Sequence, residues 1–297
     1  MYFTLKQLQV FLAVANHQNV SRAADELAMS QSAVSTALKE LEQRFNISLF
    51  DRIGKRLQLN EQGLSLRPKA AALMSRAEEL QSSLEQHSDI GELKVGATLT
   101  IGNYLAIGIM ARFMQDHPEA KVILNVENTA AISAKVRNFE LDLGLIEGEL
   151  QDPDLEVSYW RDDELAIFCA PDHPFADKPY LSDEDLLGAR WIVRESGSGT
   201  RQAFDRGMQG ILSALDLRLE LQHTEGIKRA VEAGLGIGCL SKITLAEAFQ
   251  RRSLVPLQAP HRNWTRKFYF ILHRQKFLTS GIRSWIDHCK RIEKNSS

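Results

Sequence analysis

SRAADELAMSQSAVSTALKELEQRF, residues 21–45, decides how the rest of this chain is read. Ala23, Ala24 and Leu27 share one helical face; Met29 and Ser30 interrupt the period; Ala33, Val34, Ala37, Leu38 and Leu41 resume it between Gln31 and Phe45. Ser30 is placed to cap the later helix, because a serine oxygen accepts a hydrogen bond from a free first-turn amide. Two helices joined by so short a connection, with alanines that let them cross closely, spell a helix-turn-helix. The outer face of the later helix carries Gln31, Ser32, Ser35, Thr36 and Lys39, with Ser30 at its start. Short hydrogen-bonding groups and one cation at a helix N-terminus suit base edges and phosphates in a DNA major groove. A solvated polar face accounts for any one of these residues equally well, but poorly for the ordered set.

Upstream, Leu5, Leu8, Phe11, Leu12 and Ala15 form a further helical stripe with Thr4 as its cap. Downstream, SLFDRIGKRLQLN, residues 48–60, reads as two short strands about Gly54, with Arg52, Lys55 and Arg56 near the tip. A basic hairpin in this position is a wing, suited to phosphate or minor-groove contact. From Asn60 to about Ser88, Leu64, Ala70, Ala71, Leu73, Met74, Ala77, Leu80 and Leu84 make a narrow apolar stripe on a long helix. Such a stripe packs on another helix, from its own domain or a partner chain. Pro68 lacks an amide hydrogen, so a bend is expected there.

The whole chain has 297 residues and a formal net charge of -2. That charge does not argue against DNA, because phosphate neutralisation needs a local basic surface and salt screens charges beyond about 10 Å. No apolar run reaches the length of a spanning helix, and the N-terminus lacks a cleavage site, so a cytoplasmic protein without membrane contact is expected. Cys169, Cys239 and Cys289 are an odd set without metal-ligand spacing and read as reduced, buried thiols.

After Glu92, strand-like and helix-like segments alternate, which predicts an α/β architecture. GELKVGAT, KVILNVEN, LDLGLIEG, ELAIFCAP, ARWIVRE, LRLELQ, GIGCLS and RKFYFILHRQK read as strands, with a last helix over 280–292. Strand ends that open helices are candidate ligand contacts, because their free amides point at whatever is bound. Thr98, Thr100 and Ile101, then Thr129, then Glu147, then Ser196, Ser198, Thr200 and Arg201 occupy such positions. Hydroxyls, bare amides and a guanidinium suit a small oxyanion, although the same segments also serve as ordinary caps and turns. A carboxylate at Glu147 would favour a ligand that still carries a proton over sulfate. The GSGT run lacks the ending of a nucleotide-binding loop, and no cofactor or metal is called for. His17, His117, His173 and His223 are scattered, and Cys169 and Cys239 lie in apolar runs, so an enzyme is disfavoured. A solute-binding protein would share the later fold but have no use for residues 1–60.

The segment from Leu5 to Gly63, with its AADELAMSQSAVS core, its LEQRFNISLFDR stretch and the basic wing, resembles the DNA-binding segment of LysR-type transcription regulators. Asn60 departs from the threonine common there, at little cost, since Asn caps helices as well. The likeness continues through IGNYL, LIEG, RESGSGTR, GLGIGCLS and HRQK, and within the family it is greatest to the sulfite-responsive regulators of enteric bacteria. It implies a winged helix-turn-helix over 1–60, a dimerising linker helix over 61–90 and an α/β effector region over 91–297. That region would hold two periplasmic-binding-protein-like subdomains, 91–161 with 267–297, and 162–266. It further implies a homodimer or homotetramer on double-stranded DNA, and a small-molecule effector, sulfite or another oxyanion, held by Thr98, Thr100, Glu147, Ser196, Ser198, Thr200 and Arg201.

Overall fold

The computed structural model describes residues 2–54, 56–84 and 90–294, with 82, 83 and 292–294 described by their backbone alone. Lys55 of the expected wing and residues 85–89 of the expected linker helix lie outside the described residues.

Three helices, α1 (Leu5–His17), α2 (Val20–Glu26) and α3 (Gln31–Phe45), pack on one another around Val10, Phe11, Val14, Ala23, Ala24, Val34 and Leu38. Thr4 and Gln7 form a reciprocal capping box on α1, satisfying two orphan donors at once. Asn19 caps α2 by accepting from the Arg22 amide at 3.1 Å. Ser30 caps α3 by accepting from the Ala33 amide at 3.1 Å, and Asn46 closes it in the left-handed conformation. A hairpin follows, β1 (Phe50–Ile53) and β2 (Arg56–Leu59), paired antiparallel from Phe50 with Leu59 to Ile53 with Arg56.

The linker helix α4 (Glu61–Leu84) runs through Pro68 without interruption. Ala70 and Ala71 are buried, Ala70 within the core of the three-helix domain. Leu64, Leu73, Leu80 and Leu84 instead face solvent. The apolar stripe therefore divides between a docked face and a bare one.

The remainder is built on one nine-stranded sheet in the order β4-β3-β5-β11-β6-β9-β7-β8, with β10 pairing on β6. Its first half holds β3 (Glu92–Ala97), β4 (Lys121–Val126) and β5 (Leu143–Glu147). Between β3 and β4 lie a helical turn α5 (Leu99–Ile101), a π-helical turn (Gly102–Ala106) and α6 (Ile107–Asp116); α7 (Thr129–Arg137) precedes β5. The second half holds β7 (Arg190–Arg194), β8 (Asp216–Leu221), β9 (Ile237–Ser241) and β10 (Val255–Leu257). Its helices are α8 (Asp183–Gly188), α9 (Gly199–Gly207), a 3-10 turn (Leu212–Ala214), α10 (Thr224–Glu232) and α11 (Lys242–Gln250).

Two long antiparallel strands, β6 (Leu155–Cys169) and β11 (Thr265–His273), belong to both halves. The last helix α12 (Ser280–Lys294) returns to the first half, where Ile282, Trp285 and Cys289 pack with Val95, Phe113, Leu143 and Phe270. A separate core of Leu165, Ile167, Trp191, Val193, Phe204 and Ile237 fills the second half. Two α/β subdomains, each with its own core and joined by two crossing strands, are the architecture of a periplasmic-binding-protein-like effector region.

Candidate functional site: an exposed helix face and an interdomain cleft

On α3, Gln31, Ser32, Ser35, Thr36 and Lys39 are all exposed, while Val34, Leu38 and Leu41 are buried on the opposite side. Their helical spacing puts them on one outward surface, with Ser30 Oγ 3.0 Å from Ser32 Oγ at its N-terminal end. Arg52 and Arg56 are exposed on the β1–β2 hairpin. The Leu57 amide donates to the Gln18 carbonyl at 3.0 Å, so the hairpin is tied to the end of α1. These groups form an outward-facing polar and basic surface at one end of the molecule.

The cleft between subdomains is organised by a residue absent from the sequence expectation. Arg266, on β11, has no exposed side-chain surface. Its Nε donates to Asp163 at 2.6 Å, across the strand pair with β6. Its Nη1 donates to Glu147 Oε2 at 2.7 Å and to Thr200 Oγ1 at 2.9 Å, and its Nη2 to Thr100 Oγ1 at 3.2 Å. Glu147, at the end of β5, also accepts from the Thr100 amide at 2.8 Å and the Thr200 hydroxyl at 2.9 Å. Burial would push the Glu147 carboxyl up; the Arg266 guanidinium, the hydrogen bonds from Thr100 and Thr200 and the charge of Arg194 outweigh it and hold it down to about 2. Glu147 is therefore ionised and already engaged, so it clasps the subdomains together and is not a free acceptor for a protonated ligand. Gly199 makes the closure possible: a Cβ there would lie 2.0 Å from the Glu147 carbonyl oxygen.

The other expected cleft residues take several roles. The Thr129 hydroxyl donates to the Glu147 carbonyl at 3.0 Å, and Ser198 caps α9 through the Thr200 amide at 3.2 Å. Ser196 is exposed. Ile101 is wholly buried in the core of the first half, so its side chain is packing and does not line the cleft. Arg201 also departs from expectation, because its guanidinium donates to Asp205 and Glu220, both at 2.8 Å, and to the Arg194 carbonyl. Thr98 differs from all of them: its hydroxyl is buried and has no hydrogen-bond partner. It begins α5 without capping it.

Sequence reasoning missed Arg194, which is buried and donates through Nε and Nη2 to both oxygens of Glu195. Glu195 in turn accepts from Asn128 of the first half at 3.2 Å. A further bridge joins Tyr104, on the π-helical turn, to Glu225 on α10 at 2.5 Å, with Lys228 donating to the Tyr104 oxygen at 3.2 Å. Burial first, then the Glu225 hydrogen bond, pushes the Tyr104 hydroxyl well above its ordinary range, so it stays a donor. Arg266 did carry a signal: it falls in phase with the buried Phe268 and Phe270 along an alternating strand, where a cation demands a buried partner. The thiols offer no nucleophile. Cys169, Cys239 and Cys289 are buried, and burial pushes the Cys169 thiol up to about 11.

Two family models cover nearly all of the chain: the bacterial regulatory helix-turn-helix protein of the lysR family over residues 5–64, and the LysR substrate binding domain over residues 86–293. The uncharacterized HTH-type transcriptional regulator YeiE of Escherichia coli is 39% identical over 289 residues, which covers 97% of this chain and 98% of that protein. Among solved structures, a full-length OxyR variant from Pseudomonas aeruginosa superposes with a TM-score of 0.73 at 20% identity, covering 98% of this chain and 95% of the other. The regulatory domain of CcmR from Synechocystis, in complex with 2-PG, matches with a TM-score of 0.64 at 29% identity, covering 69% of this chain and 98% of the other. With both halves of the family's architecture present in their order, the chain is a ligand-responsive transcription regulator, not an enzyme, and it belongs to the LysR family.

Proposed function

We propose that this regulator binds paired DNA half-sites as a homodimer or a pair of dimers, and that a small oxyanion held between its subdomains, with sulfite the first candidate, sets how it binds them. Ser30, Gln31, Ser32, Ser35, Thr36 and Lys39 would meet base edges and phosphates, and Arg52, Lys55 and Arg56 the flanking backbone. The bare leucines Leu64, Leu73, Leu80 and Leu84 of α4 would meet their counterparts on a second chain. The subdomains would divide at 161/162 and 266/267, and the protein would work in the cytoplasm.

The observation that carries the ligand reading is the Thr98 hydroxyl, buried without a partner two residues before Thr100, which Arg266 ties to Thr200 of the second subdomain. An orphaned buried hydroxyl is costly, and a ligand oxygen would satisfy it. Two arginine–carboxylate groups stand where the subdomains meet, Glu147, Asp163 and Glu195 against Arg194 and Arg266, three formal negative charges and two positive. Sulfate adds twice the charge of hydrogen sulfite to that excess, of which Glu147 is a part, so the monoanion is favoured by overall charge and not by a hydrogen bond to Glu147. The likeness to CcmR makes 2-PG, the ligand in that structure, the second candidate.

Footprinting on the promoter beside the protein's own gene, with and without sulfite, tests the regulator. Calorimetry with sulfite, sulfate and 2-PG across pH tests the ligand. A footprint that never changes with any of the three rules out the oxyanion reading, and equal affinity for sulfate and sulfite rules out the preference for a monoanion.

A further inference from the structure

The cleft and the DNA-binding domain are physically joined by one short helix. At its N-terminus, α7 touches the second subdomain two ways: Asn128 Nδ2 donates to Glu195, and the Ala130 amide donates to the Gly197 carbonyl at 3.3 Å; Thr129 meanwhile bonds, within its own subdomain, to the end of β5 beside Gly199. At its C-terminus stands Asn138, whose side-chain and backbone oxygens both accept from the Arg67 guanidinium, at 3.1 and 2.7 Å. Arg67 belongs to α4. It also donates to Asn16 Oδ1 at 2.6 Å, one residue before the end of α1. Beyond Asn16, the Gln18 amide closes α1 on Val14, and the Gln18 carbonyl receives the Leu57 amide of the wing. Ile132 and Val136 are fully buried along the helix, so its nine residues, about 13 Å of rise, form a packed rod and not a loose tether.

We propose that α7 transmits the state of the cleft to the DNA-binding domain, with Arg67 as the positioning residue that reads the helix's far end and passes its placement through Asn16 to α1 and the wing. The proposal rests on the reading of the cleft as the effector site. The chemistry favours a switch over a static clamp. Arg67 is bidentate on one oxygen pair and shares a nitrogen with a second domain, so a small rotation of the Asn138 end cannot keep all three bonds. Arg67 Nε is meanwhile buried and unpartnered, which leaves this arrangement short of its best satisfaction and open to an alternative. Because Glu195 and Gly197 lie in the second subdomain and Asn128 and Ala130 in the first, any relative movement of the two reaches α7 at its start.

The test needs no ligand. Asn128→Asp keeps the cap on Ala131, since Asp caps as well as Asn, but sets a carboxylate against Glu195 and breaks the cross-cleft bond. Hydrogen exchange of the full-length protein is followed at residues 16–18 and 129–132, with 165–169 in the second core as the reference. Asn128→Asp is expected to speed exchange at 16–18 on the order of five-fold, and to do nothing further there in an Arg67→Met background. Should Arg67→Met fail to fold, Arg67→Lys, which keeps the charge but loses the fork, is expected to weaken the transmitted change without abolishing it. No change at 16–18 in the wild-type background, with or without a change at 129–132, overturns the proposal, as does an equal change in both backgrounds. Neither outcome bears on whether an oxyanion binds, which calorimetry decides separately.

Discussion

Thr98 and Glu147 lie in the same cleft and call for opposite expectations. Replacing Thr98 by Val removes an unsatisfied hydroxyl and keeps the shape, so the ligand-free protein should gain stability, about 1 kcal/mol. If the hydroxyl awaits a ligand oxygen, the same change should weaken sulfite binding about ten-fold. Thermal unfolding and calorimetry on one variant read both signs. Glu147 has its folded-state carboxyl held from 4.5 down to about 2, so it contributes stability that is fully present above pH 4.5 and is lost as pH falls through that range toward 2. The shift corresponds to about 3 kcal/mol. Denaturant unfolding between pH 6 and pH 3 should show a steeper loss in the wild type than in Glu147→Gln. That variant starts lower at pH 6, by about 3–5 kcal/mol, because Arg266 loses one of its two buried counter-charges. The strand phase of Arg266 called for buried partners without naming them, because Asp163 and Glu147 lie 103 and 119 residues away. Arg201, in the attractive GSGTR run, proved to be tied to Asp205 and Glu220.

Elements whose signals are local were legible. The bounds of α3 follow from Ser30 and an uninterrupted apolar period, and they were read residue for residue. The first half of β6, Leu155 to Asp163, was not read, because Glu156, Arg161, Asp162 and Asp163 break any apolar run and its pairing partner β11 arrives a hundred residues later. Helices α8 and α11 were passed over among the strand signals of the second half. At this scale the cap of α3 makes a direct prediction: Ser30→Ala should cost the DNA-binding domain about 1 kcal/mol by thermal unfolding without DNA. The hairpin makes another. Arg56→Ala should lower affinity for all DNA alike and reduce the slope of log K against log salt by about 1, whereas Ser35→Ala should mainly blur preference among sequences. Filter binding at several salt concentrations, on matched and scrambled sites, separates the two.

Across the whole molecule, the two crossing strands make the halves of the effector region interdependent in chain order as well as in space. The alternation of strands and helices foretold an α/β fold; that α12 belongs with the first half came only from the family resemblance, since nothing near residue 285 names Val95 or Phe113 as its neighbours. Ending the chain after Lys276 should expose Trp160 and open the first half, while Trp191 and Trp264 stay shielded in the second; tryptophan fluorescence and quenching would report the difference. The sheet order carries a consequence for synthesis. Its central strand, β11, is made after all the other described strands, yet it lies between β5 and β6. Until residue 273 has cleared the ribosome, both neighbours present open hydrogen-bonding edges, so the nascent effector region must wait, half zipped, for its own middle, and that interval is when a chaperone would matter most to this protein.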